Sequence, residues 1–451
     1  MYKTLGVSPL EQLYKNSFDK RLVQLALRIQ KVFIYRVIQR TVLTIFPFVL
    51  IGSFAQTFRV LFLSNDGFLG RLMPDINDNL FDQIDDIFSA ISNLTIGWVS
   101  VIAVFAAAKY TAKHYHRDDQ LAGISGSLAL LIISYVYSKR SPLSFHSSVL
   151  GVRGLLFAIF LGIFVGYIFK LTSKEAKNSK FKTMSTSVLN RTFISIKSIF
   201  LVIVLAVIVS DVVNITFYSN LPESVLASIS STNPSTKAIT QILHTFGFGA
   251  YTIIMSFLGW SGPYSAIESS YSDPSSIANL NYALNNHTAW GAPDLFNANT
   301  LYHAFATFGG TGATLALLIA ILWTSKDNDM LTVSRWSLIP SIFNINAGMM
   351  SGIPILFNIV FLIPFMLAPL VNMIIAAIAL QLRLMPPSVY SIPAGTPGPL
   401  IAFLGTNGSW QALLFSLITL TVSVFIYLPF VRIAQHVKTI DNLANDERGT
   451  N

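Results

Sequence analysis

Apolar runs of the ~20 residues needed to cross ~30 Å of hydrocarbon recur along most of the chain. They fall at 41–63, 92–110, 120–138, 148–170, 198–217, 238–260, 301–323, 354–380 and 411–431. Residues 18–40 (FDKRLVQLALRIQKVFIYRVIQR) follow a different pattern, with Leu22, Leu25, Leu27, Val32, Ile34 and Val37 set among regularly spaced cations. Such a pattern predicts an amphipathic helix at the interface, beside anionic lipid. The pattern therefore predicts an all-α polytopic membrane protein.

Three stretches interrupt the apolar rhythm. Residues 171–197 are polar and basic, and mark the expected boundary between an N-terminal membrane half (41–197) and a C-terminal half (198–435), flanked by segments 1–40 and 436–451. Residues 261–300 are rich in Asn, Ser and Pro, yet carry Tyr264, Tyr271, Tyr282, Trp290 and Phe296, too many rings for a solvated linker. Residues 341–365 (SIFNINAGMMSGIPILFNIVFLIPF) place Asn344, Asn346 and Asn358 in a run of membrane grade and break it with Gly348, Gly352, Pro354 and Pro364. Non-helical backbone at membrane depth survives only where protein or a water-filled cavity surrounds it. Hairpins that enter and leave on one side are accordingly expected near 261–300 and 337–365.

Composition agrees with the pattern: 53% of the 451 residues are hydrophobic and only 11% charged, against roughly 25% in soluble domains. The net charge of +9 is clustered before the first span (Lys20 to Arg40) and between the fourth and fifth (Lys170 to Lys197). By the positive-inside rule both segments face the cytoplasm, and no nucleic acid partner is implied. The loop after the first span, with Asp66, Asp75, Asp78, Asp82, Asp85 and Asp86 against Arg71 alone, is expected outside. Nine spans would leave the basic tail (Arg432, Lys438, Arg448) outside, so ten crossings with both termini in the cytoplasm are expected. With no cysteine and seven scattered His, neither a disulfide framework nor a metal site is expected.

The polar inventory suits a neutral polyol. Asn side chains donate and accept at once, as sugar hydroxyls require, while aromatic rings cover the apolar faces of a pyranose. Between Leu295 and Ile440 the only acidic residues are Asp327 and Asp329, whereas ion-coupled carriers usually bury a carboxylate at mid-membrane. Asp211 near the end of the fifth span reads as an interfacial cap. Trp290 and Trp410 are open to two readings, sugar stacking and interfacial anchoring. GGTGATL (309–315) lacks the strand and lysine of a nucleotide loop, and its small residues suggest close helix packing.

FNIN at 343–346, SGIPILFN at 351–358 and IPF at 363–365 resemble the signature hairpin of phosphotransferase-system enzyme IIC sugar permeases of the lactose, cellobiose and diacetylchitobiose class. FPFVLIGSF (46–54), GGTGATL (309–315), IPAGTPGPL (392–400) and IYLPF (426–430) follow in that family's order, so the resemblance spans nearly the whole chain. It implies a bacterial cell-membrane homodimer of ten-helix protomers with two re-entrant hairpins. The N-terminal half would dimerise and the C-terminal half would hold an oligosaccharide. An elevator-like movement would carry the sugar toward cytosolic IIB and IIA partners, with no cofactor.

The same resemblance exposes two departures. Where the family reads FNINEP this chain reads FNINAG, putting Ala347 and Gly348 in place of Glu and Pro; where it reads GIHG the chain reads GWSG, putting Ser261 at the His position. Both ionisable site residues are absent. Groups within the polar insert that are placed to substitute are Glu268, Asp273, His287 and Asp294, although Glu268 and Asp273 also fit solvated or capping roles and His287 an interfacial one. The expected substrate-binding set is Asn344, Asn346, Asn358, Ser261, Glu268, His287 and Trp290. Two functions stay open: a permease with phosphotransfer altered or lost, and a non-transporting descendant serving as a sensor or assembly partner.

Overall fold

The computed structural model describes residues 17–64, 67–68, 79–136, 144–174, 184–218, 237–260, 262–265, 271–353 and 355–449. Its elements are helices α1 (Ser17–Gln30), α2 (Phe33–Phe58), α3 (Asn79–Thr95), α4 (Val99–His114), α5 (Asp119–Ser134), α6 (Leu155–Thr172) and α7 (Met184–Tyr218). They continue as α8 (Ala238–Phe257), α9 (Pro274–Asn286), α10 (Thr314–Thr324), α11 (Asn328–Ile342), α12 (Ala347–Gly352), α13 (Ile359–Gln381), α14 (Gly398–Gly405) and α15 (Trp410–Gly449). Among the described residues, 7 helices are long and apolar enough to cross a membrane, and two more apolar helices, α5 and α10, are shorter.

The N-terminal bundle is built on small residues. Without a hydrophobic drive between helices in lipid, close backbone approach supplies the packing energy. A Cβ added at Gly162 of α6 would lie 2.7 Å from the Ala107 methyl of α4, and one at Gly166 would lie 2.4 Å from Thr111 Cβ. Helix α7 joins this bundle: Val202 and Ala206 pack with Ala122, Ala129 and Phe169. Thr172 Oγ1 donates to Ser198 Oγ at 2.7 Å, and Ser210 Oγ to the Ile132 carbonyl at 2.9 Å. A single helix thus runs through the boundary expected at 197 and packs on α5 and α6.

Two expected elements differ. The segment 18–40 is not one interfacial helix: it breaks at Lys31 and Val32, and Phe33 already opens the 31-residue membrane candidate Phe33–Leu63. The apolar face of α1 covers protein, with Leu22, Val23 and Ala26 buried against Val360 of α13 and Phe430, Ile433 and Val437 of α15. The run 301–323 is not a continuous span either. A wide-turned π-helical segment, Ala298–Ala306, is followed by a non-helical loop and only then by α10. A hydropathy window averages across glycines and cannot see this break.

At the hairpin, α12 packs on α2 through Gly348 and Gly352, four residues apart. A Cβ at Gly352 would lie 2.4 Å from Phe46 Cε2 and 2.6 Å from Val333 Cγ1. The small-residue helix contact is therefore made by GMMSG rather than by GGTGATL. At one end of the molecule Asp327 caps α11, accepting from the amides of Asp329 (2.9 Å) and Met330 (3.2 Å). Lys438 Nζ bonds Asp327 at 2.9 Å and Asp329 at 2.7 Å. Burial alone would raise the Asp327 carboxyl, but the hydrogen bond from Lys438 and those from the cap amides outweigh it and hold it below 3.8.

Gly352→Ala should lower the thermal stability of the purified protein by about 1–3 kcal/mol through overpacking. Gly247→Ala on α8, whose Cβ meets nothing within 4 Å, should be neutral or stabilising by about 0.5–1 kcal/mol; unfolding followed in detergent compares the two. A carboxyl with a depressed folded value stabilises above its ordinary value and loses that contribution as pH falls through it. Asp327→Asn should therefore lower stability at pH 7 and flatten its fall between pH 5 and pH 3.

Candidate functional site

Three non-helical segments meet where the sequence places its amides. The first is Thr307–Ala313. Gly309, Gly310 and Gly312 have φ of +73°, +97° and +83°, and Ala313 follows at +52°. These are left-handed conformations that only glycine adopts freely, and there is no room for a side chain: a Cβ at Gly312 would lie 2.2 Å from the Phe365 ring and one at Gly310 2.6 Å from Asn346 Nδ2. Helix formation being impossible, the freed carbonyls find side-chain donors. Thr314 Oγ1 donates to the Gly309 oxygen and Tyr427 Oη, from α15, to the Gly312 oxygen, both at 2.5 Å.

The second segment is the FNIN turn. Helix α11 closes with the Ile345 amide donating to the Pro340 carbonyl (2.9 Å) and the Asn344 amide to the Ser341 carbonyl (3.2 Å). Asn344 stands at φ +64°. This is a Schellman end with Asn in the left-handed position, the residue other than Gly that tolerates it best. The third segment is the loop before α14, where Thr396 and Pro397 lie.

Asn344 joins all three. Its Oδ1 accepts from the Gly309 amide at 2.7 Å and its Nδ2 donates to the Thr396 carbonyl at 2.9 Å. The amide orientation follows from its partners, since an N–H needs an acceptor and a carbonyl a donor. One N–H and one lone pair of this half-buried side chain remain. Asn346 Nδ2 donates to the Thr311 carbonyl at 3.3 Å. Asn358 stands apart as the N-cap of α13, accepting from the Val360 amide at 3.1 Å. One residue of the same kind went unread in the sequence. Asn372, fully buried on α13, donates to the Phe305 carbonyl at 3.0 Å and accepts from Ser423 Oγ at 2.9 Å. Its signal was an amide in the middle of the apolar run Ile359–Gln381.

Ala347 and Gly348 lie directly beyond this knot, in the first turn of α12. No titratable side chain occurs from residue 336 to 382. On α11, which runs past Gly348, Ser334, Ser337 and Ser341 are buried, and their hydroxyls meet no hydrogen-bond partner among the described residues. Ser337 Oγ would lie 3.5 Å from a Cβ at Gly348.

The polar insert folds inward. Asp294, 1% exposed, accepts from Gln241 Nε2, while its backbone amide and carbonyl pair with the Asn279 side chain at 2.9 and 2.6 Å. Asn297 and Thr300 cap the π-helical segment reciprocally, both at 3.0 Å. Asp273 is buried at the N-cap position of α9 and accepts from Ser275 Oγ. His303 is buried edge-on to Tyr302, ring centroids 5.2 Å apart, with Tyr264 at 6.4 Å. Ser261 and Glu268 lie outside the described residues, and the ends of GWSG are visible only in Gly259 (φ +72°) and Gly262.

His287 and Trp290 are not part of the knot. His287 ends α9 at φ +54°, and both residues line a separate cavity of about 250 Å³ with Tyr390, Thr406, Asn407 and Gln411. The expected set therefore divides into the hairpin amides and a second group at the other end of α14, whose Gly398 lies against Asn344 and whose C-cap Thr406 lines the cavity.

The family model "Phosphotransferase system, EIIC" matches residues 39–369. The chain is 43% identical over 130 residues to the cellobiose-specific EIIC component of Lactococcus lactis subsp. lactis (strain IL1403), an alignment covering 29% of this chain and 26% of that protein. It is 27% identical over 390 residues to the lactose-specific EIICB component of Staphylococcus aureus (strain COL), covering 84% of this chain and 67% of that one. Among solved structures it is similar to the transporter ChbC, the IIC component of an N,N'-diacetylchitobiose-specific phosphotransferase system. That likeness covers 95% and 99% of the two chains at 20% identity, with a TM-score of 0.42. The chain thus aligns with about a quarter of the cellobiose-specific relative and two thirds of the lactose-specific one. With its family model matching across more than half its length and its helices apolar enough to cross a bilayer many times, this multi-pass membrane protein belongs to the phosphotransferase-system EIIC family.

Proposed function

We propose that this chain is a sugar permease that binds a disaccharide or related glycoside beside the FNIN turn and moves it across the bacterial plasma membrane. The observation that carries the reading is the meeting of three helix breaks around Asn344 in a member of the EIIC family. Backbone interruptions of this kind are tolerated in a membrane only around a protein-lined or wet cavity. The relatives named for cellobiose and lactose support a β-linked disaccharide as the substrate class.

Within that reading the amides have different tasks. Asn344 spends half of its capacity on the knot and acts by positioning, while Asn346 holds the GGTG loop through one long bond and keeps an acceptor for a sugar hydroxyl. Asn358 sets the start of α13. The hydroxyls of Ser334, Ser337 and Ser341, without a partner among the described residues, supply further groups of the two-way kind that a sugar engages, since buried polar groups normally find a partner. A homodimer with both termini in the cytoplasm and an elevator-like movement of the hairpin-bearing part completes the proposal.

Phosphotransfer is the step for which the chain is least equipped. Attack by a sugar hydroxyl on the phosphoryl group carried by a IIB partner forms an O–P bond, breaks the bond that joined phosphorus to the IIB side chain and releases the hydroxyl proton. A base within ~3 Å normally takes that proton. Ala347 offers no such atom, and Ser261 is no base on its own. The chain is accordingly proposed to deliver unmodified sugar.

In proteoliposomes, radiolabelled cellobiose or lactose should equilibrate into the lumen. Asn346→Leu should slow this at least tenfold with an unchanged gel-filtration profile; wild-type uptake in that variant would remove the hairpin from the binding site. Asn344→Leu strands two backbone groups and should destabilise the protein by about 2–5 kcal/mol, read as an earlier loss of the folded peak on heating.

A further inference from the structure

The cavity lined by His287 and Trp290 shares no lining residue with the central knot. It encloses about 250 Å³ between the end of α9, Tyr390, and the turn that opens α15. That turn also carries Lys438 at the far end of its long helix. With a rise of 1.5 Å per residue, Trp410 and Lys438 are about 40 Å apart along the axis, more than the ~30 Å hydrocarbon thickness. The cavity and the Lys438–Asp327 pair therefore sit at opposite ends of the molecule. If the basic end is cytoplasmic, as the loop charges predict, the cavity opens outward.

Its chemistry is specific in kind. No lining residue carries a fixed charge. Trp290 keeps 42% of its surface exposed while forming part of the wall, and Tyr390 supplies a second ring. Asn407 and Gln411 each offer a donor and an acceptor, and Thr406 and Ser409 offer hydroxyls. A ring that merely anchored the protein in the interface would face lipid and headgroups. Here it shares the lining of a cleft with amides and hydroxyls. The two walls are held open by backbone rarely adopted by residues with side chains: φ is +54° at His287 and +59° at Asn407. Strain of this sort persists where the surroundings enforce it and clusters at ligand sites.

We propose that this cavity is a second, peripheral carbohydrate site, which takes one terminal hexose of a neutral oligosaccharide with its apolar face on Trp290. The volume sets the limit: it falls below the ~300–1,000 Å³ of sites that enclose a whole drug-sized ligand, so one ring enters and the remainder projects into solvent. An anion would find no cation here, and an apolar ligand would strand the amides. Such a site raises the local concentration of saccharide at the mouth and selects for chain ends before translocation. The inference rests on the reading of the chain as a sugar permease, but on none of the residues of the knot.

The test uses the full-length protein in lipid nanodiscs, titrated with cellobiose and lactose. Binding is followed by intrinsic tryptophan fluorescence and by equilibrium dialysis of labelled sugar. Wild type should show a fluorescence change on binding. Trp290→Leu should lose that change and bind the peripheral sugar at least tenfold more weakly by dialysis, and Gln411→Leu, an exposed helix position, several-fold more weakly. Trp290→Phe should retain binding by dialysis without the fluorescence signal. Asn346→Leu should keep the Trp290-dependent signal while losing uptake, which separates the two sites. Wild-type affinity in both Trp290→Leu and Gln411→Leu would overturn the peripheral site and leave the permease reading standing. Loss of all binding in Asn346→Leu would overturn it as well, because a single central site would then account for everything.

Discussion

The structure depends on amide side chains that satisfy backbone groups where helices break inside an apolar chain. A stranded amide or carbonyl in hydrocarbon costs several kcal/mol, so each break must bring its own partner. Asn344 does this for two segments at once, giving an acceptor to Gly309 and a donor to Thr396. Asn372 meets the Phe305 carbonyl left over by the π-helical segment, and Tyr427 meets that of Gly312 from a third helix. If Asn344 is removed, the GGTG loop, the FNIN turn and the loop before α14 lose their common fastening. The arrangement explains why the chain places polar residues singly within apolar runs and glycine at 309, 310 and 312, where the φ angle is positive.

Part of this was legible in the sequence. An Asn-rich, Gly- and Pro-broken stretch in a membrane-grade run predicts breaks in the helix, and 341–365 holds two, the FNIN turn between α11 and α12 and the break between α12 and α13. The partners were not legible, because they lie 35 and 52 residues away and nothing local encodes the pairing. The same limit accounts for the misreadings. The run 301–323 has the mean hydropathy of a span because its loop is made of glycine and threonine, which barely lower an average. Close helix packing was attributed to GGTGATL, whose glycines serve backbone conformation, while GMMSG performs it against Phe46. Leu22 belongs to the apolar stripe expected to face lipid, and the pattern cannot distinguish lipid from Phe430 and Val437, against which Leu22 packs together with Val23 and Ala26. His287 and Trp290 were grouped with the hairpin by proximity in the chain to the polar insert, whereas the turn at His287 directs them to another cavity.

The frame and the reactive groups have separated in this protein. The residues that shape the knot are in place, and the family model runs through them. The two positions to which the resemblance assigns ionisable chemistry hold Ala347 and Ser261. At 348 the departure is also one of packing. Glycine lets α12 approach α2, with a Cβ there only 3.3 Å from Leu50, and proline would add atoms at that contact. The hairpin is thereby fitted to its neighbour by small residues and lined by serine hydroxyls rather than by charge. Binding and passage of a neutral solute require no more than that, whereas phosphoryl transfer requires a place for a proton.

The most direct measurement of this division is made on proteoliposomes containing the protein, loaded with a phosphorylated IIB partner and supplied with labelled cellobiose outside. The account predicts that the label recovered from the lumen is unmodified disaccharide, at the same level with and without phosphorylated IIB. Accumulation of sugar phosphate that depends on phosphorylated IIB would contradict it, and would mean that another group has taken over the role vacated at Ala347.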